Sequence, residues 1–373
     1  YDTSGDITRI PIVLPPKASV FIVFRRNQSS VLGQTIRSVS HNGKTLLITD
    51  GRQAPPQIEI LSAVYGKPGE PQHTRDVKTI IQKLVDNGET IFPVVKIAAI
   101  GGDPDINVVK TLDVRYRNNA NEEHILLHDG DVVDFSVHSK SPLVAVEMGT
   151  DGGIQVCVTE PGDYLCALSS GKTVAITIPS IPEPITIQGP WTVKFPAGWG
   201  VPSQIQLDEL IAWNKHPDAG VRYFSGTALY YCEFNVLAEL LTRNHRIELD
   251  LGDVAVMSDV TLNGEHLGVF WKPPFRMDAT SVLRAGKNIL EIAVANLWVN
   301  RMIGDHQLPP DVERNPNGTL KNWPQWLLEG KPSPTGRFTF TTWELWRKTD
   351  PLVESGLIGL VRLKTTVCKR INS

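Results

Sequence analysis

The sequence predicts a mainly β protein whose second half is an antiparallel β-sandwich, and three runs of residues lead there. Arg246-Ile247-Glu248-Leu249-Asp250-Leu251 alternates polar and apolar residues, as a strand with one wet face must. Residues 259–262 run into Asn263-Gly264, the dipeptide best able to supply positive φ at both central positions of a tight hairpin, and residues 265–270 form the returning strand. A second period-2 run, 289–295, follows the turn-like Ala285-Gly286-Lys287-Asn288. After it the chain breaks into a loop bearing Trp298, Asn300 and Arg301.

From the N-terminus, residues 10–14 and 19–24 read as strands joined by Pro15-Pro16, a pair that cannot continue a central strand. The next stretch is polar and turn-rich, with a hairpin expected at Asn42-Gly43. Residues 58–66 read as a strand closed by Gly66. Asp76 is placed to cap a helix in which Val77, Ile80, Ile81, Leu84 and Val85 fall at helical spacing, with Gly88 at the C-terminal position that favours glycine. Strands are expected at 91–99, 111–116, 125–137 and 173–178. Gly101-Gly102-Asp103-Pro104 reads as a turn between strands in preference to a ligand loop. Ile181-Pro182-Glu183-Pro184 is a stiff linker, and all nine tryptophans lie at or after Trp191. The expected division is therefore a β-rich segment over 1–55, a small α+β unit over 56–184 and the sandwich over 185–373.

Cys157 and Cys166 flank Glu160-Pro161-Gly162-Asp163. If Pro161-Gly162 centres a tight turn, the two face each other across a hairpin at a non-hydrogen-bonded position. A cross-strand disulfide is then geometrically possible and would suit a periplasmic or secreted protein. Two buried thiols on one face of the hairpin is the alternative. Cys232 and Cys368 read as core residues on strands, and no Cys or His spacing reads as a zinc site.

A formal charge of −3 over 373 residues gives no electrostatic reason to expect nucleic acid or an anionic membrane as partner. No apolar run approaches the roughly 20 residues of a membrane span. The chain starts at Tyr1, and a processed or excised piece of a larger protein is expected.

The run VTLNGEHLG…W..PF..DAT..L..GKN.LEI.VANLW.NR.IGD resembles the galactose-binding-like jelly roll of large glycoside hydrolases, as found in family 2 and in the family 106 α-L-rhamnosidase-like proteins. Upstream, GPWTVKF…GVP…L..W..H.DAGVRYFSGTALYYCEF resembles the start of the same domain in the rhamnosidase-like group. The resemblance covers roughly the last half of the chain. It implies a C-terminal accessory region of an enzyme whose catalytic (α/β)₈ barrel lies in a separate, N-terminal domain absent from this chain. Carbohydrate is the implied partner, and terminal sugars, often α-L-rhamnose, are the implied substrate of the whole enzyme. Such sandwiches commonly hold Ca²⁺, for which His216-Pro217-Asp218 and residues 250–253 are candidates. Ordinary turns are the preferred reading, with no cofactor or metal assigned.

Glycosidase chemistry needs two carboxyl groups flanking the bond, and the chain lacks the repeating βα pattern that would support them. No G-x-S-x-G elbow, P-loop or dinucleotide motif is present. Sugar binding remains. Sugars present apolar C–H faces and vicinal hydroxyls, so their sites pair flat rings with planar polar groups. The candidate sugar contacts are Trp271, then Trp298 with Asn300, Arg301, Asp305 and His306, then Trp323 and Trp326. For Trp298, directly after Ala293-Val294-Ala295, a place at the rim of the core is the preferred reading, and for Arg301 and Asp305, four apart, an ion pair that pins the loop is the competing one. Trp191, Trp213, Trp343 and Trp346 are expected in the core. The overall reading is a non-catalytic carbohydrate-binding or structural region. A stand-alone carbohydrate-binding protein, or a purely structural brace for the catalytic barrel, are the alternatives.

Overall fold

The computed structural model describes residues 2–4, 7–9, 35–48, 58–67, 70–105, 110–118, 121–135, 144–148 and 153–371. The strand-like runs at 10–14 and 19–24 lie outside the described residues. The protein is mainly β and its sheets are antiparallel. Two compact units are present, one of Tyr1–Pro179 with Arg370–Ser373 and the other of Ser180–Lys369.

In the first unit β1 (Asp2–Ser4) pairs with β2 (Ile7–Arg9). Strands β3 (Ile36–His41) and β4 (Lys44–Ile48) form the hairpin expected at Asn42-Gly43, whose φ angles of 48° and 80° are the left-handed pair that such a turn requires. β5 (Ile58–Gly66) and β6 (Thr74–Asp76) lead into helix α1 (Lys78–Asp86). The Asp76 carboxylate accepts the Lys78 N–H at 2.9 Å, so the expected capping residue acts from one position further out than a regular N-cap. Val77, Ile81 and Leu84 are buried on the face that the spacing marks. On the same helix Gln82 accepts the Ile60 N–H at 2.7 Å and donates to the Ile58 carbonyl at 3.1 Å, next to the point where the β5 register slips. A side chain there takes up backbone groups beside a bulge.

The expected strand over 91–99 is corrected. β7 (Ile91–Pro93) ends at proline and helix α2 (Val95–Gly101) follows, with Val94 and Ile97 buried and Val95 and Ile100 exposed. A short apolar run does not reveal its own period, and here packing selects 3.6 over 2. β8 (Thr111–Asn118) and β9 (Asn121–His128) complete a sheet in the order β6-β5-β8-β9, and β10 (Val132–Asp134) returns against β7.

β11 (Val144–Met148) pairs with β12 (Ile154–Val158). β13 (Gly162–Leu168) and β14 (Thr173–Ile178) pair with each other, and β13 pairs on its other side with β3. This overturns the Cys157–Cys166 disulfide. Cys166 stands opposite Val174 and Val39, whereas Cys157 stands opposite Ala145. The two strands are consecutive but are not a hairpin. Cys166 and Cys232 are free, buried thiols, and Cys157 and Cys368 are disulfide-bonded.

The second unit is the sandwich. Its elements are β15 (Ile185–Thr186), β16 (Trp191–Lys194), β17 (Gln204–Leu207), α3 (Ala219–Arg222), β18 (Thr227–Val236), β19 (His245–Asp250), β20 (Asp253–Ala255), β21 (Met257–Leu262) and β22 (Glu265–Phe270). Then come β23 (Arg276–Asp278), β24 (Gly286–Ala295), α4 (Val299–Asp305), α5 (Gln325–Leu328), β25 (Gly356–Gly359) and β26 (Arg362–Arg370). One sheet runs β17-β16-β18-β24-β21-β22, and in the other β19 lies between β23 and β26. Tyr230, Val260, Leu262, Ile292 and Val294 of the first sheet meet Ile247, Leu249 and Leu363 of the second in one core. Each fully buried aliphatic side chain there contributes about 1.5–3 kcal/mol. Trp191 and Trp213 are in that core, as expected, and Trp213 stacks on Tyr230 with centroids 6.2 Å apart. Trp343 is corrected: it is more than half exposed, its indole N–H bonded to the Asn317 carbonyl at 3.2 Å.

Candidate functional site

The segment after β24, expected as a loop, folds as α4. Its first turn carries no side-chain cap of its own. Ser225 serves instead: its hydroxyl donates to the Leu297 carbonyl at 2.8 Å and accepts the Arg301 N–H at 3.2 Å. Asn296 accepts the Gly226 N–H and donates to the Phe224 carbonyl, both at 2.9 Å, tying the helix entrance to the residues that lead into β18. Neither anchor was visible in the sequence, because the partners lie some seventy residues upstream.

Three of the predicted sugar contacts are buried and do other work. Asn300, 2 % exposed, clamps the backbone of Val353, donating to its carbonyl at 2.7 Å and accepting its N–H at 2.8 Å. Asp305, 1 % exposed, gathers three donors on one oxygen: the N–H groups of Phe338 and Thr339, and the Thr339 hydroxyl at 2.7 Å. Arg301, 6 % exposed, places Nε 3.0 Å from the other Asp305 oxygen, an ion pair without the alignment of a good hydrogen bond. Its guanidinium also lies 4.9 Å from the Phe338 ring centroid. Burial lowers the Arg301 pKa, opposed by the charge of Asp305. Asn300, Arg301 and Asp305 therefore hold the long arm of residues 308–355 to α4, and all three are buried. Asn300 and one Asp305 oxygen are thereby spent on partners in the arm.

The predicted tryptophans behave differently. Trp298 is half exposed and packs on Trp199, 5.5 Å between centroids, and Trp199 in turn stacks on Phe338 at 5.9 Å. Trp199 was not singled out in the sequence. Trp323 and Trp326 both pack on Phe340, and the Trp326 indole donates to the Asp311 carbonyl at 3.2 Å. Trp271 is half exposed beyond the end of β22, the edge strand of its sheet, and shares none of these contacts.

Just beyond α4, lined by the arm and the two residues that lead into it, lies an open cleft of about 770 Å³. His306 is the one predicted site residue in its walls, which also include Leu308, Pro309, Arg314, Arg337, Glu344 and Arg347. Arg314 donates to the carbonyls of Gly318 and Thr341 at 3.2 and 2.8 Å, and Arg337 to those of Pro309 and Leu308 at 3.0 and 2.9 Å. Both guanidinium planes are thus fixed by backbone oxygens. Burial holds the His306 imidazole below its ordinary pKa, and the nearby charges of Arg337 and Arg314 act in the same direction. Glu344, 3.7 Å away, and Asp305 pull the other way. His306 is consequently neutral at pH 7, able to donate from one ring nitrogen and accept at the other. Among the described residues, Glu344 is the one carboxylate in the cleft wall.

The remaining candidates are accounted for by structure. Asp218 caps α3 through the Val221 N–H at 3.1 Å, and Asp250 binds Lys364, Arg276 and the Gly252 N–H. Gly101 ends α2, and Asp103 just beyond it faces Lys110 at 3.2 Å. Among the described residues no group of three His, Cys, Asp or Glu side chains is arranged to hold a metal ion.

Compared with known proteins, the chain matches no protein-family model. It is 35 % identical over 347 residues to a protein of Formosa agariphila named "Putative beta-glucuronidase", a match that takes in 91 % of this chain. The chain spans 29 % of the length of that relative. Over this span it is homologous to a protein named for a glycoside hydrolase activity. Among solved structures, a rhamnosidase from Novosphingobium sp. PP1Y aligns with 78 % of this chain and 26 % of its own, at 24 % identity and a TM-score of 0.40. The β-glucuronidase of Bifidobacterium dentium aligns with 50 % of this chain and 30 % of its own, at 23 % identity and a TM-score of 0.33. Neither is close enough in shape to bear on function.

Proposed function

We propose that this chain is a non-catalytic, carbohydrate-binding and structural region of a larger, periplasmic or secreted glycoside hydrolase that degrades polysaccharide. The cleft beside α4 carries the reading. Its volume falls within the roughly 300–1,000 Å³ of small-molecule sites, and its walls set apolar Leu308 and Pro309 beside fixed guanidinium donors and a neutral imidazole. That mixture suits a sugar's C–H faces and hydroxyls. A cleft with Glu344 as its one carboxylate lacks the pair on which glycoside hydrolysis usually depends. The homologue, more than three times longer than the matched span, supports placing the catalytic machinery in a separate domain. Its name favours a uronide as the whole enzyme's substrate over the α-L-rhamnoside that the sequence resemblance implies. The disulfide-bonded Cys157 and Cys368 support an oxidising compartment.

The test is native electrophoresis of the chain through gels containing uronate-bearing or rhamnose-bearing polysaccharide, run beside turnover assays on aryl glucuronides and aryl rhamnosides. Retardation without release of the aryl group is expected. Turnover by the chain alone would overturn the non-catalytic reading.

A further inference from the structure

The cleft carries far more positive than negative charge. Arg314, Arg337, Arg347 and Lys348 line it, against Glu344 alone, in a chain whose overall formal charge is −3. Arg337 is compensated from outside the cleft by Asp311, 3.7 Å away. Arg314 is half-buried, and its hydrogen bonds all go to neutral oxygens: the Gly318 carbonyl, the Thr341 carbonyl and the Thr341 hydroxyl. A partly desolvated guanidinium facing neutral partners gains most from an anion. Arg347 and Lys348 are exposed at the rim, and neither side chain forms an ion pair among the described residues. Even with Glu344 and Asp311 set against two of the four cations, the remaining two face the cleft uncompensated.

We infer that the cleft binds its saccharide through an oxyanion that the sugar carries, a uronate carboxylate or a sulfate ester. Arg314 is the fixed donor, and Arg347 and Lys348 draw the anion in. The inference rests on the carbohydrate-binding reading and names the class of sugar. Guanidinium groups suit this role because their planar fork matches two oxygens of a carboxylate or sulfate at once. The carbonyls of Gly318 and Thr341 hold the Arg314 guanidinium in place before any ligand arrives, and its Nε takes no part in those bonds. The neutral His306 is left to bond a sugar hydroxyl. A nucleic acid would call for a basic stripe running beyond one cleft, which the charge balance of the chain does not favour.

The test is calorimetric titration of the 373-residue chain with three oligosaccharides of equal length: an oligogalacturonate bearing carboxylates, a carrageenan fragment bearing sulfates, and an uncharged galactan fragment. At least one anionic probe is expected to bind ten-fold or more tightly than the neutral one, with affinity falling as sodium chloride rises from 0.05 to 0.5 M. Which probe wins identifies the oxyanion. The double variant Arg347→Gln/Lys348→Gln changes only exposed side chains, so it should keep its fold by circular dichroism and lose at least five-fold in affinity for that probe. Arg314→Lys, which keeps the charge but not the fork, should lose affinity as well. Equal binding of neutral and anionic probes, unaffected by the double variant, would overturn the inference while leaving the carbohydrate reading intact. Binding of none of the three would overturn both. A single-stranded oligonucleotide binding more tightly than every saccharide would also overturn the inference.

Discussion

Replacing Asp305 by alanine should loosen the arm of residues 308–355 and destabilise the sandwich unit. The carboxylate accepts from the Phe338 N–H at 3.0 Å, the Thr339 N–H at 2.6 Å and the Thr339 hydroxyl at 2.7 Å, and pairs with Arg301. All of this is out of solvent, since Asp305 and Arg301 are both buried. Removing one partner of a buried pair leaves the other charged and uncompensated, a loss of about 3–5 kcal/mol. With a urea dependence of about 2 kcal/mol per molar, the unfolding midpoint should fall by about 2 M with little change in slope. The local signature is faster amide exchange at Phe338 and Thr339, whose acceptor has gone. Arg301→Met combined with Asp305→Leu should be less damaging than Asp305→Ala alone, because no buried charge is stranded. A loss below about 1 kcal/mol, with exchange at 338 and 339 unchanged, would refute the reasoning.

Gly304→Ala should cost about 1–3 kcal/mol, read as a lower melting temperature, because the new methyl would sit 2.6 Å from Cβ and Cγ of Tyr223. His306 gives a pH dependence of definite sign. Its folded pKa is lowered, so its contribution to stability is full above the unfolded value of about 6.5 and is lost as pH falls through that value toward the folded one. Urea midpoints measured between pH 7.5 and 5 should therefore decline, and His306→Gln should flatten the decline. Thiol alkylation followed by mass spectrometry should label Cys166 and Cys232 alone in denaturant without reductant, and all four cysteines after reduction. In the native state both free thiols should react slowly, since burial pushes each up to about 11.

What could be read in the sequence was local. The Asn42-Gly43 and Asn263-Gly264 hairpins follow from the φ angles those dipeptides tolerate, and α1 from a spacing that its buried face repeats. Neighbours in sequence are not neighbours in space at two places. β13 reaches back more than a hundred residues to pair with β3, which separates Cys166 from Cys157. The polar groups of α4, taken for ligand contacts, find their partners at Phe338, Thr339 and Val353, between thirty and sixty residues downstream. The richness of the 298–306 stretch in chemistry was legible, but its division between the clamp and the cleft was not. That division depends on an arm with little regular structure, whose course is set by hydrogen bonds to side chains and carries no hydrophobic period. The cleft arginines carry no local signal for the same reason.

The most direct test of the central claim is a titration of intrinsic tryptophan fluorescence with uronate- and sulfate-bearing oligosaccharides, with turnover followed in the same samples. Trp346 is partly buried in the wall of a small cavity that shares His306, Arg314 and Arg337 with the cleft, so it should report occupancy. The predicted result is a saturable shift without turnover, retained in Trp271→Phe and largely lost in Trp346→Phe. A flat titration, or hydrolysis of the oligosaccharide by the chain alone, would contradict the account.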